Sequence, residues 1–408
     1  MFTPIQRPYY IDKLLAFKDK DLIKVISGLR RSGKSTLLNL YQNHLLQTGI
    51  LSSQIHYYNF ELPENYLEKS WDNLYFEIKN NLVAKKQNYI ILDEIQNIPF
   101  FEKLVDGLYA SEDTDVYITG SNAYILSSEL ATLLSGRYIE ISILPFSFAE
   151  YLIARKIDFQ NKYLNFGSFF YDYINETSLP KGAELREEGN DKIYEYLKAI
   201  YLTIIEKDIT QRHQINDKRA FENITKYIAS HIGSLVSPNN ISKTMLKENN
   251  TIHHQTVEKY LDYLVGSFIF YRLHRFDLKG KKQLATLEKY YIVDIGLLNI
   301  LKGRERTTDR GHILENVVYL ELLRRGFQVW AGMERNSEVD FVCKSTNGDI
   351  EYFQVAWLLD NEKTKEREYG ALLKIKDNFP KYLLTTDDFL ESFNGIKHIN
   401  VFKWLLDI

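Results

Sequence analysis

A nine-residue segment, residues 28–36, carries the side chains best suited to phosphate chemistry. Its glycines, Gly28 and Gly33, stand with Lys34 and Ser35 in the spacing G-x-x-x-x-G-K-[ST], which is typical of a phosphate-binding loop (P-loop). Backbone N–H groups of such a loop surround a phosphate, and the N-terminus of the following helix adds partial positive charge. We therefore expect the Lys34 ammonium to contact the β- and γ-phosphates of a nucleotide and the Ser35 hydroxyl to bind Mg²⁺.

The elements that must position this loop lie on either side of it. Residues 22–26 form a short, apolar, β-branched run that predicts a buried strand, and residues 36–41 have helical spacing. Strand, glycine loop and helix in this order is the context that the motif needs, which disfavours a chance glycine turn. The predicted nucleotide-binding residues are Gly28, Arg31, Ser32, Gly33, Lys34, Ser35 and Thr36.

Two adjacent acids, Asp93 and Glu94, end the apolar strand predicted over residues 88–94. We expect Asp93 to hold Mg²⁺ through water and Glu94 to polarise the attacking water as general base. A solvated strand end is the alternative interpretation, but the P-loop that precedes these acids favours the catalytic one.

Two later residues are candidates to contact the transferred phosphate. Asn122 ends the strand predicted over residues 115–122 and is placed to contact the γ-phosphate or the water, although capping of the next helix is an equally good interpretation. Arg137 precedes a predicted fifth strand and is a candidate to stabilise γ-phosphate charge, in its own subunit or a neighbouring one. A surface ion pair is the alternative for Arg137.

Length and composition restrict the classes of protein to consider. A chain of 408 residues predicts two to four domains. The net charge of −3 means that nucleic-acid binding requires local basic patches. The single cysteine, Cys343, excludes an internal disulfide and cysteine-based zinc sites. Without a signal-peptide pattern or a bilayer-spanning apolar run, we expect a cytoplasmic protein that does not bind membranes.

Five tracts taken together, residues 28–36, 92–96, 118–123, 134–138 and 144–151, carry a family resemblance. The chain resembles a large prokaryotic group of AAA-superfamily ATP-binding proteins that carry a C-terminal domain of unknown function. This resemblance implies an α/β fold with the parallel sheet of P-loop NTPases, of the additional-strand type. It places the Walker B strand, which ends at Asp93, between the P-loop strand and the other strands. It also implies ATP rather than GTP, and the chain contains no guanine-specifying Asn-Lys-x-Asp.

After a P-loop domain over residues 1–155 and a helical lid or linker over residues 156–214, the pattern changes. Residues 215–290 predict three helices and a β-hairpin, the order of a winged helix-turn-helix. Its last helix would face a major groove, and the basic hairpin would meet phosphates. A module that packs only against protein is the alternative. The predicted contacts are His253, His254, Gln255 and Lys259 on the helix, and Arg272, Arg275, Lys279, Lys281 and Lys282 on the hairpin.

Residues 291–408 predict a small α/β domain, whose order of helix, three strands, helix and strand resembles the core of PD-(D/E)xK nucleases. In that resemblance Glu315, Asp340 and Gln354 fall at the metal-binding positions and Ala356 at the lysine position. Because a neutral amide binds Mg²⁺ weakly and alanine cannot orient water, we expect a degenerate nuclease-like binding domain. Lys344 is a conceivable replacement lysine; an active nuclease and purely structural acids are the alternatives.

These patterns predict an Mg²⁺-dependent, ATP-hydrolysing molecular switch that is coupled to DNA or RNA through the winged helix. A regulatory ATPase that acts through a protein partner is the alternative, and an ATP-dependent nuclease has less support. The sequence leaves the oligomeric state open.

Overall fold

The structure, a computed structural model, describes residues 4–62, 64, 69–126, 134, 136–160, 164–247, 252–280, 282–303, 309–334 and 337–408. The chain forms two compact units, one of residues 1–145 with 266–268 and the other of residues 146–265 with 269–408. The first unit thus ends about ten residues before the predicted limit of residue 155.

The first unit is built on a five-stranded parallel sheet. Its strands are β1 (Ile23–Ser27), β2 (Ile55–Asn59), β3 (Asn88–Asp93), β4 (Thr114–Gly120) and β5 (Tyr138–Ser142). Their order is β2-β3-β4-β1-β5, so β4 lies between the P-loop strand β1 and the Walker B strand β3. The expected position of the Walker B strand next to the P-loop strand is therefore wrong, because β4 pairs with both of them.

Helices cover both faces of this sheet because the strand side chains alternate between its faces. The helices are α1 (Pro8–Ala16), α2 (Lys34–Gln47), α3 (Trp71–Asn81) and α4 (Phe101–Tyr109). On β3, Ile90 and Leu92 belong to one hydrophobic cluster with α3 and α4 side chains. Tyr89 and Ile91 belong to a second cluster with α1 and α2. This alternation buries β3 on both faces, so its polar end at Asp93 lies at the rim of the sheet.

The second unit has more helices and the larger sheet. Its described helices are α5 (Phe148–Ala154), α6 (Phe166–Asn175), α7 (Pro180–Leu185), α8 (Asn190–Thr203), α9 (Lys218–Ser230), α10 (Pro238–Lys247), α11 (His254–Gly266), α12 (Ile295–Leu301), α13 (Arg310–Arg324), α14 (Glu362–Leu373) and α15 (Val401–Leu406). A π-helix over Ile204–Thr210 continues α8. Among the described residues of the chain, no helix is both long and apolar enough to cross a membrane.

A seven-stranded mixed sheet forms the centre of the second unit. Its strands are β6 (Phe270–Asp277), β7 (Lys282–Ile292), β8 (Gln328–Glu334), β9 (Ser337–Lys344), β10 (Ile350–Val355), β11 (Lys381–Thr385) and β12 (Ile396–Asn400). Strands β6 and β7 form the hairpin predicted as a wing, and they follow α9, α10 and α11 in the predicted order. Because β6 also pairs in parallel with β8, this hairpin is part of the same sheet as the C-terminal strands.

Candidate functional site

The P-loop follows β1 with backbone conformations that its glycines permit. Gly28 has φ +143°, and a Cβ atom there would lie 2.3 Å from the carbonyl oxygen of Ile143. Gly33 caps α2 with φ +100°, in the left-handed region where side chains are disfavoured. Arg31 also has positive φ, at +68°, and its side chain is exposed. The loop is therefore held in the tight form expected from the motif.

Lys34, the first residue of α2, points its ammonium back into the loop. It donates to the carbonyl oxygens of Gly28 at 3.1 Å and Leu29 at 3.2 Å. It also lies 3.4 Å from the carboxylate of Glu94, and both side chains are buried. A buried cation at the centre of a glycine loop is an arrangement that can receive a phosphate.

The other loop residues present hydroxyl groups at the same end of β1. Ser35 is half-buried and Thr36 is exposed. The buried Ser32 hydroxyl has no hydrogen-bond partner among the described residues. One support for this loop was not predicted: the buried guanidinium of Arg7 donates to the carbonyl oxygens of Ser32 at 3.3 Å and Leu144 at 2.9 Å. Arg7 thus ties the loop to the segment after β5.

Asp93 ends β3 with its carboxylate fully buried. The Thr119 hydroxyl donates to its Oδ1 at 2.5 Å, and the Tyr57 hydroxyl donates to its Oδ2 at 2.7 Å. Thr119 also accepts the backbone N–H of Glu94 at 2.8 Å, so one hydroxyl on β4 positions both acids. Sequence reasoning missed Thr119 and Tyr57, because only the pairing of strands reveals that they neighbour Asp93. Hard oxygen donors such as Asp93 and Ser35 fit Mg²⁺.

Glu94 adopts left-handed backbone angles, φ 55° and ψ 46°, directly after the strand. The Gln96 side-chain amide donates to its Oε2 at 2.5 Å. Burial alone would raise the pKa of Glu94, but the charges of Lys34 and Arg30 outweigh burial and lower it. Hydrogen bonds from Gln96 and Ser121 lower it further. The carboxylate is therefore ionised at neutral pH, as a general base requires.

The two remaining predicted residues of this unit lie in different places. Asn122 is buried and follows the end of β4, whose residues pair with β1 up to Ser27 ahead of the P-loop. Arg137 precedes β5, and its carbonyl accepts the N–H of Ile23 at the start of β1. Since β5 and β1 are parallel, Arg137 lies at the sheet edge opposite the P-loop. Its guanidinium forms an exposed ion pair with Asp106 at 3.3 Å, so the structure does not bring it to this chain's own loop.

In the second unit, Glu315, Asp340 and Gln354 line one cavity of about 1190 Å³. The lysine beside them is Lys289 of β7, whose ammonium lies 2.7 Å from Glu315 Oε1. Lys344 is exposed and is not among the residues that line the cavity. Lys289 lies at the end of the segment predicted as a winged helix-turn-helix, residues 215–290, so its position among the acids was not predicted.

The predicted nucleic-acid residues are only partly exposed. His253, Gln255 and Lys259 are exposed at the start of α11, His254 is half-buried, and Lys279 is exposed in the hairpin turn. Arg272, by contrast, is engaged in ion pairs with Asp262 at 2.5 Å and Glu288 at 3.3 Å, so it is not available as a simple phosphate contact. Arg275 is half-buried on β6. Lys281 and the side chain of Lys282 lie outside the described residues.

Comparison with known proteins identifies the domains. Residues 20–152 match the family described as AAA domain, and residues 170–308 match a domain of unknown function, DUF8612. An uncharacterised protein of Haemophilus influenzae is 39% identical over 404 residues, which covers 98% of each chain. An uncharacterised protein of Methanocaldococcus jannaschii is 30% identical over 367 residues, 87% of this chain and 79% of that protein.

A solved structure agrees with the fold. The Walker-type ATPase of Pyrococcus abyssi superimposes with a TM-score of 0.52 at 16% identity, over 74% of this chain and 96% of that chain. With the AAA match, this establishes a P-loop NTPase fold with an ATP-binding domain in the N-terminal part of the chain.

Proposed function

Because the chain belongs to a family of proteins that join an AAA domain to the domain of unknown function DUF8612, we propose that it hydrolyses ATP in an Mg²⁺-dependent reaction. The observation that carries this proposal is the 3.4 Å contact between Lys34 and Glu94. This contact supports the proposal because a buried cation of the glycine loop lies beside a carboxylate whose lowered pKa keeps it ionised and able to accept a proton.

Each residue has a distinct role in the proposed reaction. The loop N–H groups and Lys34 bind and orient the phosphates, and Glu94 accepts the proton of the attacking water. Ser35 and Asp93 would hold Mg²⁺, which when bound neutralises charge on the phosphates. Asn122 orients the γ-phosphate or the water from the end of β4. Gln96 and Thr119 hold the side chain and backbone of Glu94 in place.

Phosphate release from ATP by the purified chain tests this proposal. We expect Lys34→Ala to lower kcat by about 100-fold or more, since it removes a cation that stabilises transition-state charge. Lys86→Ala is the matched control, because Lys86 is exposed in the same unit, and it should retain full activity. Activity that survives Lys34→Ala would point to a contaminating ATPase or to a different site and would contradict the proposal.

We further propose that ATP binding and hydrolysis act as a switch coupled to DNA or RNA. The support is the exposed polar start of α11, with His253, Gln255 and Lys259, together with Lys279 in the turn of the hairpin. Such residues suit groove and phosphate contacts. Since the chain has a net charge of −3, binding must come from this local surface rather than from overall charge.

Titration of labelled duplex and single-stranded DNA and RNA at several salt concentrations tests this coupling. We expect affinity to fall with salt, and a Lys259→Glu/Lys279→Glu variant to bind more weakly with a salt slope smaller by about 1 per lost contact. Lys363→Glu, on an exposed lysine of the same unit, serves as the control. If nucleic acid neither binds nor changes ATP turnover, the coupling is refuted while ATP hydrolysis stands.

One observation favours the alternative of a protein partner. Phe389 is 95% exposed, and the neighbouring Leu390 and Phe393 are also exposed, which is unusual for large apolar side chains. If a protein partner binds this exposed apolar surface, Phe389→Ser should abolish partner binding and leave nucleic-acid binding unchanged. An ATP-dependent nuclease is less well supported, because Gln354 and Ala356 replace the acid and lysine of that mechanism.

A further inference from the structure

Arg30, the second residue after Gly28 in the P-loop, extends its guanidinium across the C-terminal edge of the first unit's sheet. Its Nη2 donates to Ser121 Oγ at 3.3 Å, and its Nη1 lies 3.5 Å from Glu61 Oε1. Ser121 directly follows β4, and Glu61 comes two residues after β2. Strand β3, which leads into Glu94, lies between those two strands, so Arg30 reaches from the loop toward the proposed general base.

The charge of Arg30 acts on this base. Burial raises the pKa of the Glu94 carboxyl, but the charges of Lys34 and then Arg30 bring it below its ordinary value. Ser121, which accepts from Arg30, also forms a hydrogen bond with Glu94. The P-loop therefore places two cations at one carboxylate, Lys34 by direct contact and Arg30 through its charge and through Ser121.

The same groups mark where a γ-phosphate must bind in the proposed reaction. Lys34 takes the β- and γ-phosphates, and Glu94 takes a proton from the water that attacks the γ-phosphorus. The γ-phosphate therefore binds beside the contact between Lys34 and Glu94, which is 3.4 Å long. Arg30 approaches this place from the side of β4.

The contacts that Arg30 makes with Ser121 and Glu61 are of a kind that a phosphate can replace. An N–H donor bonds best to oxygen at about 2.7–3.2 Å, so distances of 3.3 and 3.5 Å are long. The Glu61 side chain is 43% exposed, and exposed ion pairs contribute little. A guanidinium binds phosphate more strongly, because two parallel N–H donors match two phosphate oxygens.

We propose that Arg30 exchanges Ser121 and Glu61 for oxygens of the γ-phosphate of ATP in its own subunit, and that it stabilises the charge on this group during hydrolysis. The inference rests on the proposed ATP hydrolysis. In that step the water oxygen bonds to the γ-phosphorus, the bridging oxygen leaves on ADP with its electron pair, and Glu94 takes the proton. Arg30 thus fills the role that the sequence suggested for Arg137, which lies at the opposite edge of the sheet.

An arginine that only keeps Glu94 ionised would make the same contacts, so the experiment must separate these roles. We would titrate the full-length protein with a non-hydrolysable ATP analogue and with ADP, and measure ATP hydrolysis in single turnovers. The variants are Arg30→Ala, Arg30→Lys and Glu61→Gln. Lys86→Met is the matched control, because Lys86 is an exposed cation of the same unit.

The proposal requires an effect on ATP that ADP does not share, because ADP has no γ-phosphate. We expect Arg30→Ala to weaken binding of the analogue about tenfold or more and to leave ADP binding unchanged. The hydrolysis rate should fall about 100-fold or more, since a donor to transition-state charge is lost. Arg30→Lys keeps the charge near Glu94 but loses the paired donors, so its rate should fall about tenfold.

Glu61→Gln tests the exchange from the other side. Removing the competing carboxylate should tighten binding of the analogue, by up to about fivefold, and leave ADP binding unchanged. Lys86→Met should match wild type in every measurement. Arg30→Lys and Glu61→Gln keep the test decisive if Arg30→Ala does not fold.

Two results would overturn the inference. Equal losses of analogue and ADP binding in Arg30→Ala would mean that Arg30 only shapes the loop, and an Arg30→Lys variant with wild-type rate and affinities would mean that only its charge matters. Hydrolysis that needs Lys34 but not Arg30 would likewise refute the inference and leave the proposed function intact. If the protein binds ATP without hydrolysing it, the proposed function fails, and the titrations still decide whether Arg30 contacts the γ-phosphate.

Discussion

The Lys34 ammonium and the Glu94 carboxylate, which come from the P-loop helix and the end of β3, lie 3.4 Å apart in the buried centre of the first unit. Strand β4 separates their parent strands, so this contact is made across the C-terminal edge of the sheet. In the proposed reaction, a phosphate that binds Lys34 would compete with Glu94 for the ammonium. Nucleotide binding would then free the carboxylate to act on water, so phosphate binding would be coupled to base activation.

The pH dependence of ATP hydrolysis reports the charge around Glu94. The pKa of this carboxyl is lowered in the nucleotide-free protein, so the base stays ionised, and kcat/KM should fall only when pH drops below the ordinary glutamate range. Arg30→Ala removes one of the charges that lower this pKa, so the acid limb of kcat/KM should move to higher pH. Arg30→Lys keeps the charge and should leave the limb in place. An acid limb that does not move in Arg30→Ala would mean that another group controls it.

Gln96 is expected to be a positioning residue for this base. Its amide donates to Glu94 Oε2 at 2.5 Å, so Gln96→Leu frees the carboxylate to rotate and should lower kcat about tenfold, with ATP affinity unchanged. Gln96→Glu adds a like charge, so it should raise the pKa of Glu94 and shift the acid limb upward. Stopped-flow hydrolysis measures kcat, and nucleotide titration measures ATP affinity. Gln47→Leu, on an exposed α2 residue, is the control. An equal loss of kcat in Gln47→Leu would contradict the positioning role of Gln96.

Local sequence patterns predict the P-loop, its strand and helix, and the adjacent acids, because those residues lie close together along the chain. The remaining features depend on pairing between strands that are far apart in the sequence, which local patterns do not predict. The insertion of β4 between β1 and β3 places Thr119 beside Asp93, and the parallel alignment of β5 with β1 takes Arg137 to the opposite edge. Likewise, Lys289 meets Glu315 because α13 docks on β7, where the Asn316 side chain bonds to the backbone of Ile292.

Gly28 should not tolerate a side chain. A Cβ at this position would lie 2.3 Å from the Ile143 carbonyl oxygen, which is backbone and cannot rotate away, so Gly28→Ala should cost about 1–3 kcal/mol in overpacking. Gly49→Ala separates this clash from backbone strain, since Gly49 also has positive φ but nothing lies within 4 Å of its Cβ position. Urea unfolding should show a greater loss of unfolding free energy for Gly28→Ala than for Gly49→Ala. Equal losses would mean that backbone strain, and not the clash with Ile143, destabilises both variants.

The buried pair of Lys24 and Asp115 predicts a stability effect that depends on pH. Lys24 bonds to Asp115 and to the Lys20 carbonyl at 2.9 Å, and Tyr117 donates to Asp115 at 2.8 Å. Lys24→Met leaves an uncompensated buried carboxylate, which costs about 3–5 kcal/mol, and Lys24→Met/Asp115→Asn should recover most of this loss.

The sign of the pH effect follows from the carboxyl that remains in Lys24→Met. Burial already raises the pKa of Asp115 in the folded wild type, and loss of the Lys24 charge must raise it further. The folded variant then binds a proton more readily than the unfolded chain, so its unfolding free energy rises as pH falls. Urea unfolding should therefore show a smaller deficit at low pH than at high pH for Lys24→Met, and no such trend for the double variant. A deficit that is independent of pH would mean that lost packing, and not the stranded charge, destabilises the protein.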